Sequence, residues 1–373
     1  MTKRLLVMAG GTGGHIFPGI AVAKYLQNQG WDIHWLGTAT RMEAQLVPKA
    51  GFAISYIDVT GVRGNGLLRL LGAPFHIAKS VFQAIAVIRQ FKPNVVLGMG
   101  GFAAGPGGIA AWLLGVPVVI HEQNAVPGMT NKILSRFASR LLVGFKQAFS
   151  GHKKAIWVGN PVRAEFAQIA EKVNQSEESV ESQNTTTSFN ILVVGGSLGA
   201  QCLNETVPNA IEQLFADEAA VSISIRHQCG KGHQDKVTQA YTEKVGSHCE
   251  WQVSEFISDM VEAYAWADVI ICRAGALTVA EVAASGRCAI FVPLPHAVDD
   301  HQTLNAKSLA DADAAILMPQ SELMTGALPI VLKELIAAPS RINALASHAK
   351  QQAKVDAAEQ VAKVCMELSK VGA

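Results

Sequence analysis

At 373 residues the chain is too long for one ordinary core, and two domains are expected. Its 49% hydrophobic and 16% charged residues exclude a disordered chain, and a formal net charge of +1 argues against general nucleic-acid binding, which leans on a strong basic excess. Cys202, Cys229, Cys249, Cys272, Cys288 and Cys365 are scattered, with no C-x-x-C pair, the pattern of reduced thiols rather than of a disulfide framework or a zinc site. The chain enters a strand almost at once, without the charged-then-apolar layout of a signal peptide.

Short β-branched runs alternate with helical patterns, which predicts parallel sheets covered by helices on both faces. In the first half strands are expected near 4–9, 32–37, 53–58, 94–98, 116–120, 140–143 and 155–158. "MAGGTGGHIFPGIAVAKYL" (8–26) joins the first of them to a helix through a glycine-rich turn, a device that receives phosphate. Asn94 to Ile120 is uncharged and long enough to span a bilayer, but its seven glycines and two prolines break it into strand, glycine loop, helix and strand. "IHEQNAVPGMTN" (120–131) follows an apolar strand with His121, Glu122, Gln123 and Asn124 in a row. His121 and Gln123 read as scaffold, Glu122 and Asn124 as functional. "VGNPVR" (158–163) closes the half with Arg163, which either clamps an anion or exits into solvent.

Composition then shifts. Residues 171–190 are polar and rich in Ser, Thr, Asn and Gln, and read as a surface linker or loop. A second sheet begins at once at 190, followed by strands near 221–227, 249–252, 268–272, 288–292 and 314–317. It too opens on a strand and a glycine loop, "NILVVGGSLGA" (190–200). "CRAGALTVAEVAASG" (272–286) starts a helix at a strand end and puts Glu281 about two turns in, where a carboxylate can take two ribose hydroxyls. "VPLPHAVDDHQTLNA" (292–306) adds Gln302 with His296 and His301. The closing stretch, 353–370, is an amphipathic helix able to pack back on a domain. Two Rossmann-like domains with parallel sheets facing across a cleft are the expected α/β architecture.

Neither glycine loop is a dinucleotide fingerprint. Counting from Gly11, the third small position falls on Ile16, and "WLGTAT" offers no acidic residue for a ribose. The second loop gives Gly195, Ser197 and Ala200, again imperfect. "DAD" (311–313) has the spacing of a manganese motif but lies in a helical run, where i and i+2 diverge, and reads as a solvated helix end.

Together "MAGGTGGHIFPGIAVAKYL", "VLGMGGFAAGPGG", "HEQNAVPGMTNK", "VGNPVR", "LVVGGSLGAQCLN", "FISDM" and "CRAGALTVAEVAASG" closely resemble the MurG family, the N-acetylglucosaminyltransferases that make lipid II in bacterial peptidoglycan synthesis. The resemblance runs from the start of the chain to about residue 310. It implies an inverting, metal-independent enzyme of GT-B architecture without a cofactor. Such an enzyme moves GlcNAc from UDP-GlcNAc to the MurNAc C4 hydroxyl of undecaprenyl-pyrophosphoryl-MurNAc-pentapeptide (lipid I) at the inner face of the cytoplasmic membrane. It implies an acceptor- and membrane-binding domain over 1–163, carrying the helix 353–370, and a UDP-GlcNAc-binding domain over 164–352. It also implies partners in cell-wall synthesis and division complexes. The alternatives are another GT-B transferase with a different acceptor and a non-catalytic nucleotide-sugar-binding protein.

By motif, Thr12, Gly13, Gly14 and His15 would face the reacting sugar and the acceptor pyrophosphate, and Asn124 would hold the GlcNAc. Arg163 and Ser197 would lie near the donor diphosphate, with Asn204 close by. Ile257 would meet the uracil; Arg273 and the run Ala276, Leu277, Thr278, Val279, Ala280 and Glu281 would hold diphosphate and ribose; Gln302 would hold sugar hydroxyls. The chain departs at Leu198, where the family commonly has Gln. For the base that takes the C4 proton the residues leave two candidates. His15 sits at the positive end of a helix, which keeps an imidazole neutral, and Glu122 ends a strand of the same domain. Over 62–92, apolar residues from Leu67 to Phe82 are punctuated by Arg63, Arg69, Lys79, Arg89 and Lys92, as in segments that dock on an anionic membrane surface.

Overall fold

Five consecutive apolar residues, Leu5 to Ala9, find a place free of water only in the middle of a sheet covered on both faces, and all five are fully buried there. The computed structural model describes residues 2–59, 67–177, 188–196, 198–215, 222–295 and 300–371, the side chains of 67–73, 172–177 and 371 excepted. The run Leu5 to Ala9 lies in β1 (Arg4–Ala9), and β2 (Asp32–Gly37), β3 (Ala53–Tyr56), β4 (Val95–Gly100), β5 (Val118–Glu122), β6 (Arg140–Val143) and β7 (Ala155–Trp157) complete its sheet. A second sheet holds β8 (Phe189–Val194), β9 (Ile223–Gln228), β10 (Glu250–Ser254), β11 (Val269–Cys272), β12 (Cys288–Phe291) and β13 (Ile316–Leu317). Each run expected to be a strand is one.

The orders are β3-β2-β1-β4-β5-β6-β7 and β10-β9-β8-β11-β12-β13, every pair parallel. Both are doubly wound: the chain leaves the first strand in one direction, then returns to its other side. Loops from the carboxyl ends of β1 and β4, and of β8 and β11, therefore diverge and leave a crevice, the place where such sheets bind ligands.

The chain forms two compact units, Met1–Arg163 with Lys354–Ala373, and Ala164–Ala353. In the first, the helix Ala357–Val371 packs on the helix Gly13–Asn28, with Val361, Ala362 and Cys365 fully buried, and Lys3 Nζ donates to the Ser369 carbonyl at 2.8 Å. In the second, the helix Ala164–Glu177 buries Phe166, Ile169 and Ala170, with Phe166 edge-on to Tyr264 at 5.0 Å. This apolar stripe carries the helix into the polar segment, so 171–177 are helical rather than linker; 178–187 lie outside the described residues.

Candidate functional site

The first switch point is between β1 and β4. β1 runs through Gly10, Gly11 and Thr12 into the helix Gly13–Asn28, whose first N–H groups have no partner within the helix. Thr12 is the N-cap residue, but its hydroxyl does not cap; it lies 3.4 Å from His15 Nδ1. The His15 ring lies against β4, where a β-carbon on Gly100 would come 2.8 Å from Cδ2 and 3.0 Å from Nε2. Gly100 has φ +96, and the β1–β4 register slips just there, from Met8–Gly98 to Ala9–Gly100. Gly101, at φ +81, abuts the Gly10 carbonyl, so the two loops meet backbone to backbone with His15 clasped against them. Burial pushes the His15 imidazole below its ordinary pKa; Glu122, the Gly10 carbonyl and Glu43 push back. The ring stays a neutral acceptor through neutral pH.

Glu122 is nearly fully buried and heavily engaged. Its Oε1 accepts from Asn124 N–H at 3.0 Å and Asn124 Nδ2 at 3.4 Å, and its Oε2 from Gly128 N–H at 3.0 Å and Asn131 Nδ2 at 2.9 Å. It shapes the loop that presents Asn124. The strand also runs further than its apolar residues suggest, because β6 offers ladder partners to His121 and Glu122 in Leu142 and Val143. His121 Nε2 donates to the Gly159 carbonyl at 2.9 Å, which leaves Nδ1 to accept from the Gln123 amide at 3.1 Å. Burial holds that imidazole down to about 4, a neutral scaffold group.

The second switch point repeats the plan between β8 and β11. Gly196 and Gly199 have φ +81 and +76, and the Gly199 turn abuts the backbone of Cys229 and Gly230 beyond β9. Asn204 is buried in the first turn of the helix Gln201–Phe215. Its Nδ2 donates to the Cys229 carbonyl at 3.0 Å and its Oδ1 accepts from His227 Nε2 at 3.1 Å, while His227 Nδ1 accepts from the Tyr241 hydroxyl at 3.1 Å. After β11, Gly275 caps the helix Ala276–Ser285, whose first turn faces the crevice. Glu281, Leu277, Thr278 and Ala280 are partly exposed there. Ile257, also partly exposed, lies in the loop before the helix Met260–Trp266, which Asp259 caps by accepting from Glu262 N–H at 2.9 Å.

Residues 5–143 match the glycosyltransferase family 28 N-terminal domain and residues 190–361 the family's C-terminal domain. A relative from Pseudoalteromonas atlantica, named UDP-N-acetylglucosamine–N-acetylmuramyl-(pentapeptide) pyrophosphoryl-undecaprenol N-acetylglucosamine transferase, is 55% identical over 98% of this chain and 95% of its own. The chain belongs to glycosyltransferase family 28. An Aeromonas hydrophila relative of the same name is 55% identical over 99% of this chain and 98% of its own. The Acinetobacter baumannii MurG crystal structure superimposes with a TM-score of 0.79 at 42% identity, covering 98% and 99% of the two chains. A Neisseria meningitidis UDP-GlcNAc 2-epimerase, 15% identical over 98% and 100% of the two chains with a TM-score of 0.66, shares the fold.

Several motif residues of this family-28 chain have partners within their own unit. Arg163 ends the main segment of the first unit, its guanidinium 6.0 Å from the Phe17 ring. Arg273 is spent on the loop after β12, donating to the Val292 and Pro293 carbonyls at 3.1 Å each and to Gln320 Oε1 at 2.8 Å. The Asn204 amide turns inward, and the Val279 side chain is core. Gln302 uses Oε1 to accept from Leu294 N–H at 2.9 Å. Ser197 and His296 lie outside the described residues. Asp311 and Asp313 are both exposed, the first capping the end of the helix His301–Ala310 and the second at φ +49.

Three supports escape the sequence reading. Glu43 holds the first glycine loop, Gln228 the second, and buried Asn305 donates to the Ala274 carbonyl at 3.2 Å behind the helix Ala276–Ser285. Gln228 grips both backbone polar groups of one residue, accepting from Gly196 N–H at 3.0 Å and donating to the Gly196 carbonyl at 2.9 Å.

Proposed function

We propose that this chain transfers N-acetylglucosamine from UDP-GlcNAc to the MurNAc C4 hydroxyl of undecaprenyl-pyrophosphoryl-MurNAc-pentapeptide, with inversion. The observation that carries this reading is the 55% identity, over nearly the full length of both chains, to relatives named for that transfer. The C4 oxygen attacks the anomeric carbon as the bond to UDP breaks, so one displacement inverts the centre and one base suffices. His15 is that base: burial lowers its pKa, and the ring lies in the space that Gly100 leaves open. Glu122 is its electrostatic neighbour and the anchor of Asn124, which holds the transferred sugar. Thr12 and the N–H groups of Gly13 and Gly14 take the acceptor pyrophosphate. The start of the helix Ala276–Ser285 meets the charge growing on the departing diphosphate. Glu281 takes the ribose, Ile257 the uracil, and the Gln302 amide nitrogen the donor sugar.

The first unit also serves as the membrane-docking face, at the cytoplasmic side. It holds 20 Lys and Arg against 7 Asp and Glu, while the second holds 11 against 23, so a near-neutral total conceals net charges of +13 and −12. On the first unit Phe75 is 82% and Phe82 71% exposed along the helix Leu67–Phe91, beside Lys79. Trp112, Leu113, Ile133 and Phe137 are exposed on neighbouring segments, with Lys132, Arg136 and Arg140 close in sequence. Basic residues close to anionic lipid contribute about 1 kcal/mol each. Among the described residues no helix is long and apolar enough to cross a membrane.

Radiolabelled GlcNAc transfer to a short-chain lipid I analogue, with UDP-GlcNAc hydrolysis as control, tests the reading. A disaccharide product is expected. Hydrolysis alone, or transfer only to a diacylglycerol acceptor, rejects it.

A further inference from the structure

Glu43 is a fully buried carboxylate that the proposed chemistry does not use. It opens the helix Glu43–Lys49, beyond β2, and turns back under the loop after β1. Its Oε2 accepts from Gly11 N–H at 2.9 Å; its Oε1 accepts from Thr38 N–H at 3.0 Å and from the Thr38 hydroxyl at 2.6 Å. Room for it is made on both sides by glycine. A β-carbon on Gly10 would fall on the carboxylate, and one on Gly37 would come 2.7 Å from Glu43 Cγ. Gly11, the residue it grips, is at φ +95, and the next two residues start the helix that carries His15.

Resting on the reading of this end of the first unit as the acceptor site, we infer that Glu43 is a positioning residue for acceptor binding: its carboxylate sets the Gly10–Gly14 loop so that the N–H groups of Gly13 and Gly14 and the ring of His15 meet the acceptor together. A carboxylate suits the post because every group it faces there is a donor. A glutamine of the same shape turns an NH2 toward one of them, donor against donor. Its charge also acts on His15 together with Glu122 and the Gly10 carbonyl, and the Thr12 hydroxyl lies 3.4 Å from His15 Nδ1.

The test is steady-state kinetics of Glu43→Gln in the full-length protein, with both substrates varied and kcat followed against pH. The acceptor KM is expected to rise at least tenfold and the donor KM to stay within twofold. The acid limb of kcat is expected to move to lower pH, because a negative charge that helped His15 hold its proton is gone; a purely structural loss would not move that limb. Thr38→Val is the second variant should Glu43→Gln melt early. It removes one donor and keeps the carboxylate, so the acceptor KM should rise about threefold with the acid limb in place, and Thr38→Ser should restore it. Equal rises in both KM values, or an unchanged acceptor KM, overturn the inference. If the wild type fails to glycosylate the lipid-linked acceptor, the proposed function falls instead, whatever the variants do.

Discussion

Gly100 sits so close to His15 that a β-carbon there would enter the van der Waals shell of the imidazole, 2.8 Å from Cδ2. The glycine is required twice over, since its φ of +96 disfavours any side chain. Gly100→Ala should therefore push His15 off its axis while leaving the second unit untouched. Transfer assays should show kcat down at least a hundredfold, the range of a lost general base, and a donor KM within twofold. A variant with wild-type kcat would mean that the position of His15 is immaterial.

The two base candidates separate by pH. His15→Ala should lower kcat by about 10²–10⁴ and abolish the acid limb of the kcat profile. Glu122→Gln should be milder and keep that limb, moved to lower pH, because burial already depresses the imidazole and the strongest opposing charge is then gone. A limb that survives in His15→Ala and disappears in Glu122→Gln would transfer the role to the carboxylate.

Much of this was legible in the sequence. Buried parallel strands read as short apolar runs, and glycine loops mark where they end, so the strands and both glycine loops could be read directly, whereas the strand order that makes those loops switch points could not. His15 was legible because it interrupts a glycine loop at a helix start. Glu43 was not: its partner Gly11 is 32 residues away, and only the turn after β2 folds it back. Gln228 reads as one more polar residue of a half-alternating strand until the loop it clamps is seen beside it. The opposite charges of the two units cancel in the total. At Asn204 and Arg273 the motif supplies the residue, and only the fold shows the hydrogen bonds to the Cys229 and Val292 carbonyls.

Gln228 offers the donor-side counterpart of the loop argument. Its amide holds the Gly196 N–H and carbonyl and also donates to the Glu255 carbonyl at 2.9 Å, tying the glycine loop to the segment that carries Ile257. Losing a buried amide with three partners costs a few kcal/mol at most, mostly in loop order. Gln228→Ala should raise the donor KM at least fivefold and leave the acceptor KM near wild type. Calorimetric titration with UDP should show the same loss.

The membrane face is open to a salt test. Cosedimentation with anionic vesicles should fall as ionic strength rises through the physiological range, where the Debye length is about 8 Å. Phe75→Glu with Phe82→Glu should weaken binding further while activity on a short-chain acceptor persists. Normal vesicle binding by the double variant would place the docking face elsewhere.

Buried histidines make stability itself pH-dependent. His227 is fully buried between Tyr241 and Asn204, and desolvation pushes its pKa down from 6.5 to about 3; for His121 it is about 4. Between those values and 6.5 the unfolded chain binds a proton that the folded chain refuses. Stability is thus fully present above pH 6.5 and is lost as pH falls toward 4. At pH 5 each histidine costs about 2 kcal/mol relative to pH 7. His227→Gln keeps an amide between Tyr241 and Asn204 but cannot titrate. Its absolute stability will differ from wild type, so the informative quantity is the drop between pH 7 and pH 5. Chemical denaturation at the two pH values should show that drop shrinking by about 2 kcal/mol in the variant, whereas an unchanged drop would mean that the folded protein protonates His227 as readily as the unfolded one.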